Sequence, residues 1–154
     1  MPKDPTIEVI DNQDLDLTGV PLKAPVIDKQ WVLAMVKDLY WEAKKTKAGD
    51  AAKQLVIELV TQEPATATDG RAVSPGFECT TNIWATPSGG LTQLMINQKV
   101  GRFQVAALQL AEPTKFGSPE QYIGKLVKGY YEAEADKKDP TLLYQRVSRW
   151  EKAS

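Results

Sequence analysis

The chain of 154 residues contains no histidine, so any chemistry must come from carboxylates, hydroxyls, amines, guanidinium groups, aromatic rings and one thiol. Without imidazole there is no Ser-His-Asp or Cys-His relay and no His-ligated metal. Cys79 stands alone. It can form neither an internal disulfide nor a cysteine-based zinc site, and within an apolar strand pattern it reads as a small buried hydrophobe. Glu42-Ala43-Lys44, with Asp28 upstream, has the two carboxylates and the lysine with which a divalent ion can activate water. Short E-x-K triplets arise often by chance, and Asp28 precedes the strand in a proline-containing stretch, so this arrangement is set aside. Ser88-Gly89-Gly90 is too short to cradle a phosphate, and neither G-x-x-x-x-G-K-[ST] nor G-x-G-x-x-G occurs. The residue types favour binding over catalysis, with no catalytic residue, metal or cofactor expected.

What remains for recognition is cations and rings. Lys44, Lys45 and Lys47 precede a Gly49-Asp50 turn, and Lys137 and Lys138 lie in the turn Asp136–Pro140. Flexible ammonium groups follow phosphates without reading sequence, although lysines also suit a solvated hairpin tip. Tyr144, Arg146, Ser148 and Trp150 share one face by period-two spacing, a mixed aromatic and cationic stripe. Lys128, Tyr130 and Glu132 share another, and Trp84 lies on the less apolar side of its strand. Exposed rings of this kind stack bases, whereas Trp31, Phe77 and Phe103 read as core.

Strands must position these groups. From Gln30, the residues Trp31, Leu33, Met35, Leu39 and Trp41 alternate against Val32, Ala34, Val36, Asp38 and Tyr40, a long strand apolar on much of both faces. A second strand, about Gln54–Gln62, puts Leu55, Ile57 and Leu59 on one face and pairs with the first as a hairpin. A loop from Glu63 to Gly76 leads to a third strand, about Phe77–Trp84. The main helix is predicted at about Gln98–Leu110 with Asn97 as N-cap. Ser118-Pro119-Glu120-Gln121 starts a second, short helix that Gly124 stops. Strands four and five follow at about Lys125–Ala135 and Leu142–Trp150. Three strands, a helix and two strands give a mainly β chain in the element order of the OB-fold, a five-stranded and partly open Greek-key barrel. A split α+β sheet is the alternative. In an OB-fold, the loops after strands one and four, both lysine-bearing here, would frame the binding groove.

Charge is uneven along the chain. Residues 1–28 hold six acids and two lysines, a balance of -4, which leaves +3 over residues 29–154. The first segment, with Pro2, Pro5, Pro21 and Pro25, reads as an acidic arm, within which Thr6–Ile10 has the pattern of an edge strand. Residues 29–154 read as the domain. No apolar run reaches membrane-spanning length and no signal-peptide h-region is present, so no membrane partner is expected and a cytoplasmic location is.

Three segments carry a resemblance: Asn97-Gln98-Lys99-Val100-Gly101-Arg102-Phe103-Gln104-Val105-Ala106-Ala107-Leu108, Ser118-Pro119-Glu120-Gln121-Tyr122-Ile123-Gly124-Lys125-Leu126-Val127, and Tyr144-Gln145-Arg146-Val147. Their order, over about residues 25–150, resembles a group of small phage-encoded proteins of a domain of unknown function, similar to OB-like single-stranded DNA-binding or recombination-accessory proteins. The resemblance implies sequence-tolerant binding of single-stranded DNA in phage replication or recombination, in the cytoplasm of an infected bacterium. The lysines at 44, 45, 47, 128, 137 and 138 and Arg146 would serve phosphates, with Trp84, Tyr130, Tyr144 and Trp150 stacking bases. Many such binders carry a C-terminal acidic tail that recruits partners. Here the acidic segment is N-terminal, and replication or recombination proteins are the partners it would meet. A homo-oligomer is compatible with this reading. The alternative function is a non-enzymatic viral structural or protein-interaction module.

Overall fold

The computed structural model describes residues 14–19, 23–46 and 48–153. The predicted Thr6–Ile10 strand and Lys47 lie outside the described residues. The protein is mainly β with one α-helix. Its strands are β1 (Gln30–Lys45), β2 (Ala51–Thr61), β3 (Ala65–Thr66), β4 (Ala72–Val73), β5 (Glu78–Trp84), β6 (Leu126–Ala135) and β7 (Leu143–Lys152), with helix α1 (Gln93–Leu108) and one 3-10 turn (Pro119–Tyr122) between β5 and β6. Five strands make one antiparallel sheet in the order β5-β2-β1-β6-β7. The stretch 63–76, predicted as loop, contains a small β3–β4 hairpin. It turns at Asp69-Gly70 and buries Ala67 and Val73 against the core.

β1 pairs twice. Gln30–Met35 face Tyr131–Leu126 of β6, and Ala34–Lys45 face β2. Between Val36 and Asp38 the register with β2 slips by one residue, a bulge at Lys37. A bulge bends the strand and exchanges the faces of everything beyond it. Val32, Ala34, Val36 and Leu39 therefore all point into the core, while Trp31, Leu33 and Met35 point out. Trp31, expected in the core, is 37% exposed. Its ring lies on the outer face instead, 5.2 Å from the Tyr130 ring and under the Arg149 guanidinium at 5.6 Å, while Val32, Ala34 and Val36 take the inner positions.

α1 begins at Thr92, whose hydroxyl accepts from the Met95 N–H at 3.2 Å, about a turn and a half before the predicted Asn97 cap. Its first turn leaves Leu94 and Met95 exposed, so the apolar period that marks a helix starts only at Ile96. Phe103 packs between Tyr122 and Trp150 with ring centroids 5.8 and 4.8 Å away, and Phe116 continues the stack onto Tyr122 at 4.5 Å. Buried Gln104 holds the return loop through Thr114 N–H and the Lys115 carbonyl. The Ser118 cap, Pro119 at the first helical position and Gly124 at φ +85° are as predicted.

The expected barrel is not closed. Each of the four ladders is antiparallel, so β5 and β7 are edges that run in the same direction. No backbone ladder joins them among the described residues. The Thr81 hydroxyl spans the seam instead, donating to the Val147 carbonyl at 3.1 Å and accepting from its N–H at 3.4 Å. Ile27 is fully buried, tied by backbone N–H and C=O to the Gln145 amide, and Asp28 accepts from Ala133 N–H. The arm thus joins the body before residue 29. Beside the seam, a Cβ on Gly129 would stand 2.6 Å from Val147 Cγ1. Gly129→Ala is expected to lower stability by about 1–3 kcal/mol, measured by urea unfolding, whereas wild-type stability would show that β7 can move aside.

Candidate functional site

A second bulge shapes the surface. Tyr130 pairs with Arg149 but Tyr131 pairs with Val147, so Ser148 is an extra residue in β7. The predicted stripe of Tyr144, Arg146, Ser148 and Trp150 is broken there. Tyr144 and Arg146 stay on the outer face, while Trp150 turns inward to meet Phe103 edge-on. Arg149 takes the outward position instead. Its guanidinium lies 4.1 Å from the Tyr130 ring centroid and 5.6 Å from that of Trp31, and the two rings are 5.2 Å apart. An arginine over aromatic faces is held in place while its donors stay free.

Over the seam lies a cleft of about 740 Å³, walled by β5 and β7 and closed at one end by α1. Four cations line it, Lys99 and Arg102 from the helix and Arg146 and Arg149 from β7, together with Trp31, Trp84 and Trp150. Two carboxylates, Glu134 and Glu151, oppose them. Arg146 is 3.8 Å from Glu134 with both side chains more than half exposed, a weak pair that solvent screens. The Trp84 indole N–H, in the cleft wall, is buried and has no acceptor within the protein.

Of the sequence-predicted residues, the cleft gathers Trp84, Arg146 and Trp150, with Tyr130 beneath Arg149. Lys128, half-buried on the outer face of β6, pairs with Leu33 and Glu151. Lys44 and Lys45 extend from the far end of β1, and Lys137 and Lys138 lie in the β6–β7 turn beyond its Gln30 end. None of these four lysines lines the cleft. Tyr144 belongs to a neighbouring hollow. Lys99, Arg102, Trp31 and Arg149 were missed. For the helical pair the signal was present, since positions three apart share a helix face.

The set-aside carboxylate group does not assemble. Asp28 is engaged at the Gln30 end of β1, while Glu42 binds the Gln54 amide at 3.0 Å near the other end. No cluster of three metal-ligating side chains occurs among the described residues. No helix among them is long and apolar enough to cross a membrane. Comparison with protein-family models and with curated proteins finds no match.

Burial pushes the Cys79 thiol up to about 11, against a downward pull from the neighbouring Tyr131 hydroxyl. A thiol raised from 9.0 to about 11 has roughly 100-fold less thiolate at pH 8. Ellman's reagent is therefore expected to react about 100-fold more slowly with native than with urea-unfolded protein. The folded form keeps its proton longer, so this group's contribution to stability is complete below pH 9 and is lost as pH rises toward 11. Equal reaction rates would place the thiol at the surface.

Proposed function

We propose that the protein is a sequence-tolerant, non-catalytic binder of single-stranded DNA of the kind phages use in replication and recombination, with a body of the OB type. The observation that carries this reading is the seam cleft, where four cations stand among three tryptophans. The strand order β5-β2-β1-β6-β7, the helix between β5 and β6, and edges that face each other across Thr81 support the OB assignment. A strand of nucleic acid presents a phosphate at every step and a flat ring between them. Guanidinium and ammonium groups match the first, and indole faces match the second at about 1–3 kcal/mol per stacked base. The net charge of the whole chain, -1, is no obstacle, because counterion release depends on the charges along the contact.

An adjoining groove of about 630 Å³ between α1 and the end of β7, lined by Val105, Ala106, Ala111, Pro113 and Trp150, favours the second reading, a module that docks a protein. Fluorescence anisotropy of labelled oligo-dT separates the two. Under the first reading binding weakens steeply between about 50 and 200 mM salt. Arg149→Ala then reduces affinity and lowers the slope of log K against log salt by about 0.7, the value for one phosphate contact on a single strand. Flat anisotropy at low salt with folded protein ends the DNA reading and leaves the docking module.

A further inference from the structure

The cleft is not isolated along the seam. At the other end of β5 and β7 lies a second hollow of about 570 Å³ that shares Thr80 and Gln145 with it. The two hollows run end to end beside the same pair of edge strands, one past Trp84 and Trp150, the other past Phe77 and Tyr144. Their electrostatics differ. In the second, Lys23 and Arg71 are matched in number by Asp69 and Glu78, and both acids are paired: Asp69 with Arg71 at 2.6 Å and Glu78 with Lys37 at 2.8 Å. Phosphate gains little there. The hollow does present a ring, because Tyr144 is 53% exposed and its hydroxyl donates to Asp136 Oδ2 at 2.8 Å. A ring anchored at its far end loses little freedom when something stacks on it.

Building on the reading above, we propose that this hollow is a neutral base-stacking subsite centred on Tyr144, into which the strand continues from the cationic cleft past Thr80 and Gln145. β7 from Leu143 to Glu151 spans about 26 Å at about 3.3 Å per residue. That length suits a site of about 4–6 nucleotides, near the lower end of the range for a single barrel of this type. The cleft supplies the salt-dependent part of affinity and the hollow a salt-independent part.

The test is an anisotropy series of oligo-dT from three to twelve nucleotides with wild type, Tyr144→Leu and Tyr144→Phe, each checked for native circular dichroism. Wild-type affinity is expected to rise with length and level off near six nucleotides. Tyr144→Leu should lose about tenfold on eight nucleotides and little on three, with an unchanged salt slope, and Tyr144→Phe should retain most of the affinity. Wild-type affinity for both variants at every length, an equal loss at every length, or a changed salt slope overturns the subsite while leaving the cleft as the DNA site. If wild type binds no oligonucleotide of any length at low salt, the underlying reading falls with it.

Discussion

β1 gives its first six residues to β6 and everything from Ala34 onward to β2, so one strand belongs to two halves of the sheet. A strand cannot serve two halves without bending. The bulge at Lys37 supplies the bend and also resets which side chains face inward, keeping Leu39 in the same core as Val32, Ala34 and Val36. With β1 bent, the sheet curls until its edges β5 and β7 meet across the Thr81 hydroxyl. The cleft above that seam is thus a consequence of how β1 pairs. The aromatic stack joins Phe103 and Tyr122, both in the core, to the partly buried Phe116.

Strands whose two faces differ in polarity were legible from the sequence. β2 carries Leu55, Ile57 and Leu59 on one side, and all three are fully buried. The cap at Ser118-Pro119 and the stop at Gly124 were legible because each answers a local backbone need. β1 was not legible in the same way. Trp31, Leu33 and Met35 alternate with Val32, Ala34 and Val36, both sets apolar, so alternation cannot choose the inner face. That choice depends on partners about a hundred residues away, such as Tyr130 and Arg149, which meet Trp31 on the outer face. Bulges are harder still. One inserted residue, Lys37 or Ser148, leaves no trace in composition but inverts the parity of every later position in its strand. At Ser148 it removed Trp150 from the predicted outer stripe and put Arg149 in its place.

A charge count along the chain and the folded surface pick out different cations. The whole chain balances to -1, and its lysine runs stand at the hairpin tips, within residues 44–47 and 137–138. The cations that the fold brings together come as two separated pairs, Lys99 with Arg102 and Arg146 with Arg149. Neither pair is a run in sequence. Each pair is three residues apart for a different reason. On α1 the spacing is one helical turn. On β7 it is the bulge, since positions 146 and 149 of a regular strand would face opposite ways.

An open seam has a physical cost that bears on what its charges do. Two edge strands with unpaired backbone groups are templates for another chain, and proteins blunt such edges with charge. Here Thr81 satisfies one residue's N–H and C=O at the midpoint, and Arg146 and Arg149 stand along β7 beside it. Guanidinium groups at that position discourage a neutral strand from adding to the sheet, because its approach would desolvate them. A phosphodiester strand offsets that penalty, since its own charges pair with the cations it desolvates. Charge that discourages polypeptide pairing at the seam is therefore compatible with the polyanion proposed to lie along it. The neutral Tyr144 end lacks that protection, and its exposed Leu142, Leu143 and Tyr144 make it the stretch of the seam where a covering ligand removes the most apolar surface from water.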